Sequence, residues 1–87
     1  MTVEIKMYAT TVCPYCSMAL SLLKRKGIDV SKINKILIDK EVGKKEEMME
    51  LTNRRTVPQI FINDVYVGGY DDLQALETAG KLSQMLI

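Results

Sequence analysis

Two cysteines, Cys13 and Cys16, stand three residues apart with Pro14 and Tyr15 between them, and no other cysteine occurs in the 87 residues. Four chemistries are open to such a pair. A structural disulfide stabilises most when it closes a long loop, and this one would close almost none. A zinc site needs about four ligands, whereas the chain has no histidine and no second cysteine pair. Two buried thiols acting as small hydrophobes would need neither a proline between them nor a helix start. A redox-active dithiol fits best.

Position makes the two sulfurs unequal. Pro14 suits the first position of a helix, since its missing N–H would have had no partner there and its φ is already set. Cys13 then becomes the N-cap, its sulfur facing the free N–H groups of Tyr15 and Cys16. The helix dipole favours an anion there by about 0.3–1 kcal/mol. Each hydrogen bond to a charged acceptor adds about 1.5–3 kcal/mol. Cys13 is therefore the expected attacking thiolate. Cys16 lies one turn inward on the same side, without that stabilisation. It is the expected resolving thiol, able to close a disulfide with Cys13 and release whatever Cys13 holds.

The elements that must position this pair can be read from the rest of the chain. Val3 to Tyr8, rich in β-branched and aromatic residues, predicts a strand. Tyr15 to Lys26 predicts a helix with Met18, Ala19, Leu22 and Leu23 as its apolar stripe, stopped at Gly27. Lys35 to Asp39 reads as a strand buried on both faces, and Lys44 to Thr52 as a second helix carrying Met48, Met49 and Leu51. Gln59–Ile62 and Val65–Val67 flank Asn63-Asp64, a hairpin signature. After Gly68-Gly69, Asp71 is the expected N-cap of a last helix, with Gln74 completing a capping box. Leu73, Leu76, Ala79 and Leu82 form its buried face, and Gly80 is a possible break. The order β-α-β-α-β-β-α predicts an α/β fold: a four-stranded mixed sheet flanked by three or more helices, in one domain spanning residues 1–87.

Composition narrows the function. A hydrophobic fraction of 47%, a charged fraction of 26% and a formal net charge of +1 predict an ordinary globular protein without a nucleic-acid or membrane surface. The run Met1-Thr2-Val3-Glu4-Ile5-Lys6 lacks the pattern of a signal peptide, which predicts a cytoplasmic monomer.

Three motifs in order, Cys13-Pro14-Tyr15-Cys16, Thr56-Val57-Pro58 and Gly68-Gly69-Tyr70-Asp71-Asp72-Leu73, resemble the dithiol glutaredoxin family over essentially the whole chain. The resemblance implies a thioredoxin-like fold and glutathione-dependent reduction of protein disulfides and glutathione mixed disulfides. It also implies a role as electron donor to reductive enzymes such as ribonucleotide reductase. Glutathione is the implied co-substrate, with no bound cofactor and no metal. Carried over residue by residue, Val57 pairs its backbone with the cysteinyl part of glutathione. Thr56 stands beside it, and Pro58 follows a cis bond. The Tyr70 and Asp71 amides, following Gly69, take the γ-glutamyl carboxylate; Asp71 or Asp72 takes its ammonium. Tyr15 lines the groove, and Lys45, with Arg54 or Arg55, reaches the glycyl carboxylate.

Two features depart from the family pattern. The lysine commonly found three residues before the first cysteine is Thr10 here, and the segment Gly27 to Lys35 is slightly long. Two other readings remain. One is a glutaredoxin-like redoxin recycled by a thioredoxin-type reductase, which would have no use for the Gly69–Asp72 motif. The other is a non-enzymatic iron–sulfur carrier using Cys13 and glutathione as ligands. Family carriers usually lack the equivalents of Pro14 and Cys16.

Overall fold

A computed structural model describes residues 3–86. Met1, Thr2 and Ile87 lie outside the described residues, and with them part of the opening run read against a leader. The elements are β1 (Ile5–Ala9), α1 (Pro14–Arg25), β2 (Asn34–Leu37), α2 (Lys44–Thr52), β3 (Gln59–Ile62), β4 (Val65–Gly68), α3 (Tyr70–Thr78) and α4 (Leu82–Met85). The strands form one sheet in the order β2-β1-β3-β4. β1 runs parallel to β2 and antiparallel to β3, and β3 pairs antiparallel with β4.

Alternation along β1 divides the core. Ile5, Met7 and Ala9 face one side with Ile60 and Ile62, against Cys16, Ala19, Leu22 and Leu23 of α1, Leu73 of α3 and Leu82 of α4. Tyr8 faces the other side with Ile36 and Phe61, under Met48 of α2. Helices therefore cover both faces, and every residue of β3 is buried. The site-bearing turns all emerge at one end of this frame, because β1 ends where antiparallel β3 begins and where β4 in turn ends.

Several expectations need correction. The strand expected at 35–39 is an edge strand, Asn34–Leu37, with only Ile36 fully buried. The strand covered on both faces is β3, which in sequence has only the mark of a hairpin arm. Met18 is 44% exposed, and Cys16 occupies the buried stripe of α1 in its place. Leu51 is likewise exposed on α2. α3 begins earlier than expected: its N-cap is Gly69, and Asp72, at the third helical position, reaches back to the Gly69 N–H at 2.9 Å. Asp71 and Gln74 take no part in that cap. The last helix is two helices, parted at Gly80 with φ +74°, and Ala79 is exposed. The hairpin holds its expected turn, with Asn63 and Asp64 both left-handed at φ 49° and 65°. The long segment after α1 carries a 3-10 turn, Val30–Lys32, capped by Asp29.

Candidate active site

Cys13 is the N-cap of α1, extended at φ −153°, and Pro14 occupies the first helical turn. The Cys13 Sγ accepts a hydrogen bond from the Cys16 N–H at 3.2 Å. The Tyr15 N–H, expected to share that role, makes no such bond. The Val57 carbonyl oxygen lies 3.9 Å from Sγ, at the outer reach of a weak S–H donor. Both cysteines are free thiols, Cys13 half-buried and Cys16 buried.

Burial separates the two chemically. Loss of solvent around Cys16, then its contact with Cys13, pushes its thiol up to about 12. A thiol so placed stays protonated at neutral pH. The geometry thus makes Cys13 the more accessible sulfur and Cys16 the buried one.

The loop before Cys13 is fixed by a residue that carried no signal in the sequence. Asp39, just beyond β2, accepts the Thr11 N–H on both carboxylate oxygens at 3.2 and 3.1 Å. Those bonds hold its carboxyl below the usual range. Thr10 turns its hydroxyl to the Val12 carbonyl at 3.1 Å, so it serves the loop's own backbone. An acid one turn past an edge strand looks like any surface acid until its partner in space is known.

Beside Cys13 runs an open groove of about 350 Å³ lined by Tyr15, Thr56, Val57, Pro58, Gly69, Tyr70, Asp71 and Asp72, with Arg54. Eight residues singled out from the motifs therefore share one surface. The Val57–Pro58 bond is cis. Gly69 packs so closely on Pro58 that an added Cβ would lie 3.3 Å from the Pro58 carbonyl oxygen. The Tyr15 and Tyr70 rings meet at the groove's rim, centroids 6.3 Å apart and tilted 39°.

Charge at the far end centres on Asp72. Its Oδ2 takes both the Gly69 N–H and the Arg54 guanidinium, the latter at 2.8 Å. Arg54 first, then the Gly69 amide, hold this carboxyl below its ordinary value. Among the described residues Oδ1 of Asp72 has no such partner, and Asp71 is exposed beside it. Arg54, named in the sequence only as one of two cations, lines the groove; Arg55 does not. Lys45 is exposed on the first turn of α2 and is not among the lining residues.

The glutaredoxin family model matches residues 5–67. The chain is 43% identical over 84 residues to a probable glutaredoxin of Synechocystis sp., covering 95% of this chain and 92% of that one. It is 42% identical over 83 residues to glutaredoxin 3 of Escherichia coli, covering 95% and 96%. A crystal structure of a buckwheat glutaredoxin–glutathione complex superposes with a TM-score of 0.85 at 30% identity, over 97% of this chain and 76% of that one.

Proposed function

Because the chain belongs to the glutaredoxin family and is a thiol–disulfide oxidoreductase, we propose that its reductant is glutathione, with Cys13 as nucleophile and Cys16 as resolving thiol. The observation that carries this reading is the placement of Cys13 on the helix cap beside a groove built from the three motif segments. The unit is one domain acting as a monomer in the cytoplasm, on protein disulfides and glutathione mixed disulfides. Among the described residues no helix is long and apolar enough to cross a membrane.

The steps balance on these two sulfurs. The Cys13 thiolate attacks one sulfur of a disulfide; that S–S bond breaks and the departing thiolate takes up a proton. With a glutathione mixed disulfide, Cys13 takes the glutathione sulfur. A second glutathione thiolate then attacks this adduct, leaving glutathione disulfide and free Cys13. With a protein disulfide, Cys13 holds the protein. Cys16 gives up its proton and attacks the Cys13 sulfur, releasing the protein as a dithiol and leaving a Cys13–Cys16 disulfide. Two glutathiones, oxidised together by two electrons, restore both thiols.

The groove orients the first of these reactions. The Val57 backbone pairs with the cysteinyl part of glutathione, placing its sulfur against Cys13. The Tyr70 and Asp71 amides at the start of α3 take the γ-glutamyl carboxylate, where free helix N–H groups favour an anion. Asp72, through the oxygen that Arg54 and Gly69 leave free, takes the ammonium. Thr56, Pro58, Gly69 and Tyr15 shape the walls. Arg54 lines the groove but is held by Asp72 at the γ-glutamyl end, away from the glycyl carboxylate.

Substitution Cys16→Ser separates the two pathways. The variant is expected to lose reduction of protein disulfides and to keep removal of glutathione from mixed disulfides. Loss of both would show that Cys16 is needed in the first attack, against this assignment.

A further inference from the structure

The outer face of α1 carries a second open trough, of about 480 Å³, lined by Ser17, Met18, Ser21, Lys24, Arg25 and Tyr70. These helix residues recur every three or four positions, so they form one stripe facing away from the sheet. Met18 is 44% and Tyr15 58% exposed, which puts apolar surface in water beside the reactive sulfur. Tyr70 borders both this trough and the groove beside Cys13, and its ring meets that of Tyr15 on the groove side.

Charge along the stripe has one sign. α1, with sequence PYCSMALSLLKR, contains no acidic residue. Among the described residues Lys26 is neutralised by Glu77 at 3.0 Å, whereas Lys24 and Arg25 have no ion-pair partner. The distances suit an extended chain. Met18 lies five residues along the helix from Cys13 and Lys24 eleven, or about 7 and 16 Å at the helical rise. An extended peptide covers those spans in about two and five residues.

We propose that this stripe is the docking surface for the protein substrate: an extended segment with an apolar residue about two positions from its reactive cysteine and acidic residues about five positions away. The apolar residue covers Met18 and the Tyr70 ring; the acids meet Lys24 and Arg25. Glutathione in its groove and the protein segment in the trough then approach Cys13 from two sides of the same aromatic wall. This inference rests on the reading of the protein as a glutathione-driven oxidoreductase with Cys13 as nucleophile.

The test uses peptides containing a Cys-x-x-Cys disulfide, with glutathione, glutathione reductase and NADPH as electron source. Two peptides carry a Glu pair at the fifth and sixth residues, one before and one after the disulfide; two more carry Lys pairs instead. Two exposed charge pairs correspond to a preference of about threefold to thirtyfold. The better acidic peptide is expected to exceed its Lys counterpart in kcat/KM by that factor, with the gap closing near 1 M salt. The double variant K24E/R25E is expected to reverse the preference while leaving turnover of the glutathione–2-mercaptoethanol mixed disulfide unchanged. Equal rates for all four peptides would overturn the docking surface, and the series with the unaltered protein needs no variant to fold. Absence of turnover even of the small mixed disulfide would instead overturn the functional reading beneath it.

Discussion

Gly68 ends β4 at φ +116°, and an added Cβ there would lie 3.0 Å or closer to the Cβ, Cγ and Oδ2 of Asp72. Gly68→Ala therefore imposes two costs. The backbone conformation alone costs an alanine about 1–2 kcal/mol. Asp72 must also swing away, losing its bond to the Gly69 N–H and its contact with Arg54. A helix cap contributes about 0.5–2 kcal/mol and an exposed ion pair at most about 1 kcal/mol. The sum is about 1.5–5 kcal/mol, against roughly 4–13 kcal/mol for a domain of this length. Gly80→Ala is the control, because Gly80 is also left-handed at φ +74° but has open space around its Cβ position. It is expected to lose about 1 kcal/mol. Urea unfolding of both variants measures the difference, and KM for a glutathione mixed disulfide reports the displaced carboxylate. Gly68→Ala is expected to raise KM and Gly80→Ala to leave it alone. Equal destabilisation of the two, with equal KM, would refute the coupling of Gly68 to Asp72 and with it the placing of the ammonium site.

Thr10→Lys puts an ammonium three residues before the nucleophile and is expected to raise turnover of a glutathione mixed disulfide by up to about fivefold; a fall would show that the Thr10 contact to Val12 matters more. Stability should decline as pH rises above about 9, because Cys16 stays protonated in the fold up to about 12 while the unfolded chain releases its proton. Unfolding free energies from urea titrations across that range should fall more steeply for the parent than for Cys16→Ser, by up to about 1.4 kcal/mol per pH unit. Parallel slopes would count against a buried, protonated Cys16.

Local signals made the chemistry legible and long-range ones did not. Cys13-Pro14 announces a helix start by itself, and Asn63-Asp64 announces a hairpin, since each depends on backbone preferences of neighbouring residues. Burial depends on which strands end up central. The apolar run Ile36-Leu37-Ile38 looked doubly covered, yet β2 lies at the sheet's edge and β3 takes the centre. The cap of α3 was misplaced for a related reason. Gly69 has no side chain to advertise a cap, and the acid that replaces one, Asp72, is held by Arg54 from eighteen residues away. The groove residues were legible only through resemblance, because the amides and turns of residues 56–58 and 69–72 bear no chemistry individually. Asp39 acts on Thr11 across 28 residues and had no local mark at all.

The central claim is that Cys13 attacks glutathione mixed disulfides and is regenerated by glutathione. It is tested most directly by following NADPH oxidation with glutathione, glutathione reductase and the mixed disulfide of glutathione and 2-mercaptoethanol, for the parent and for Cys13→Ser. Rapid turnover by the parent and none above background for the variant is the predicted result. An active Cys13→Ser variant, or a parent that turns over only with a thioredoxin-type reductase, would contradict it.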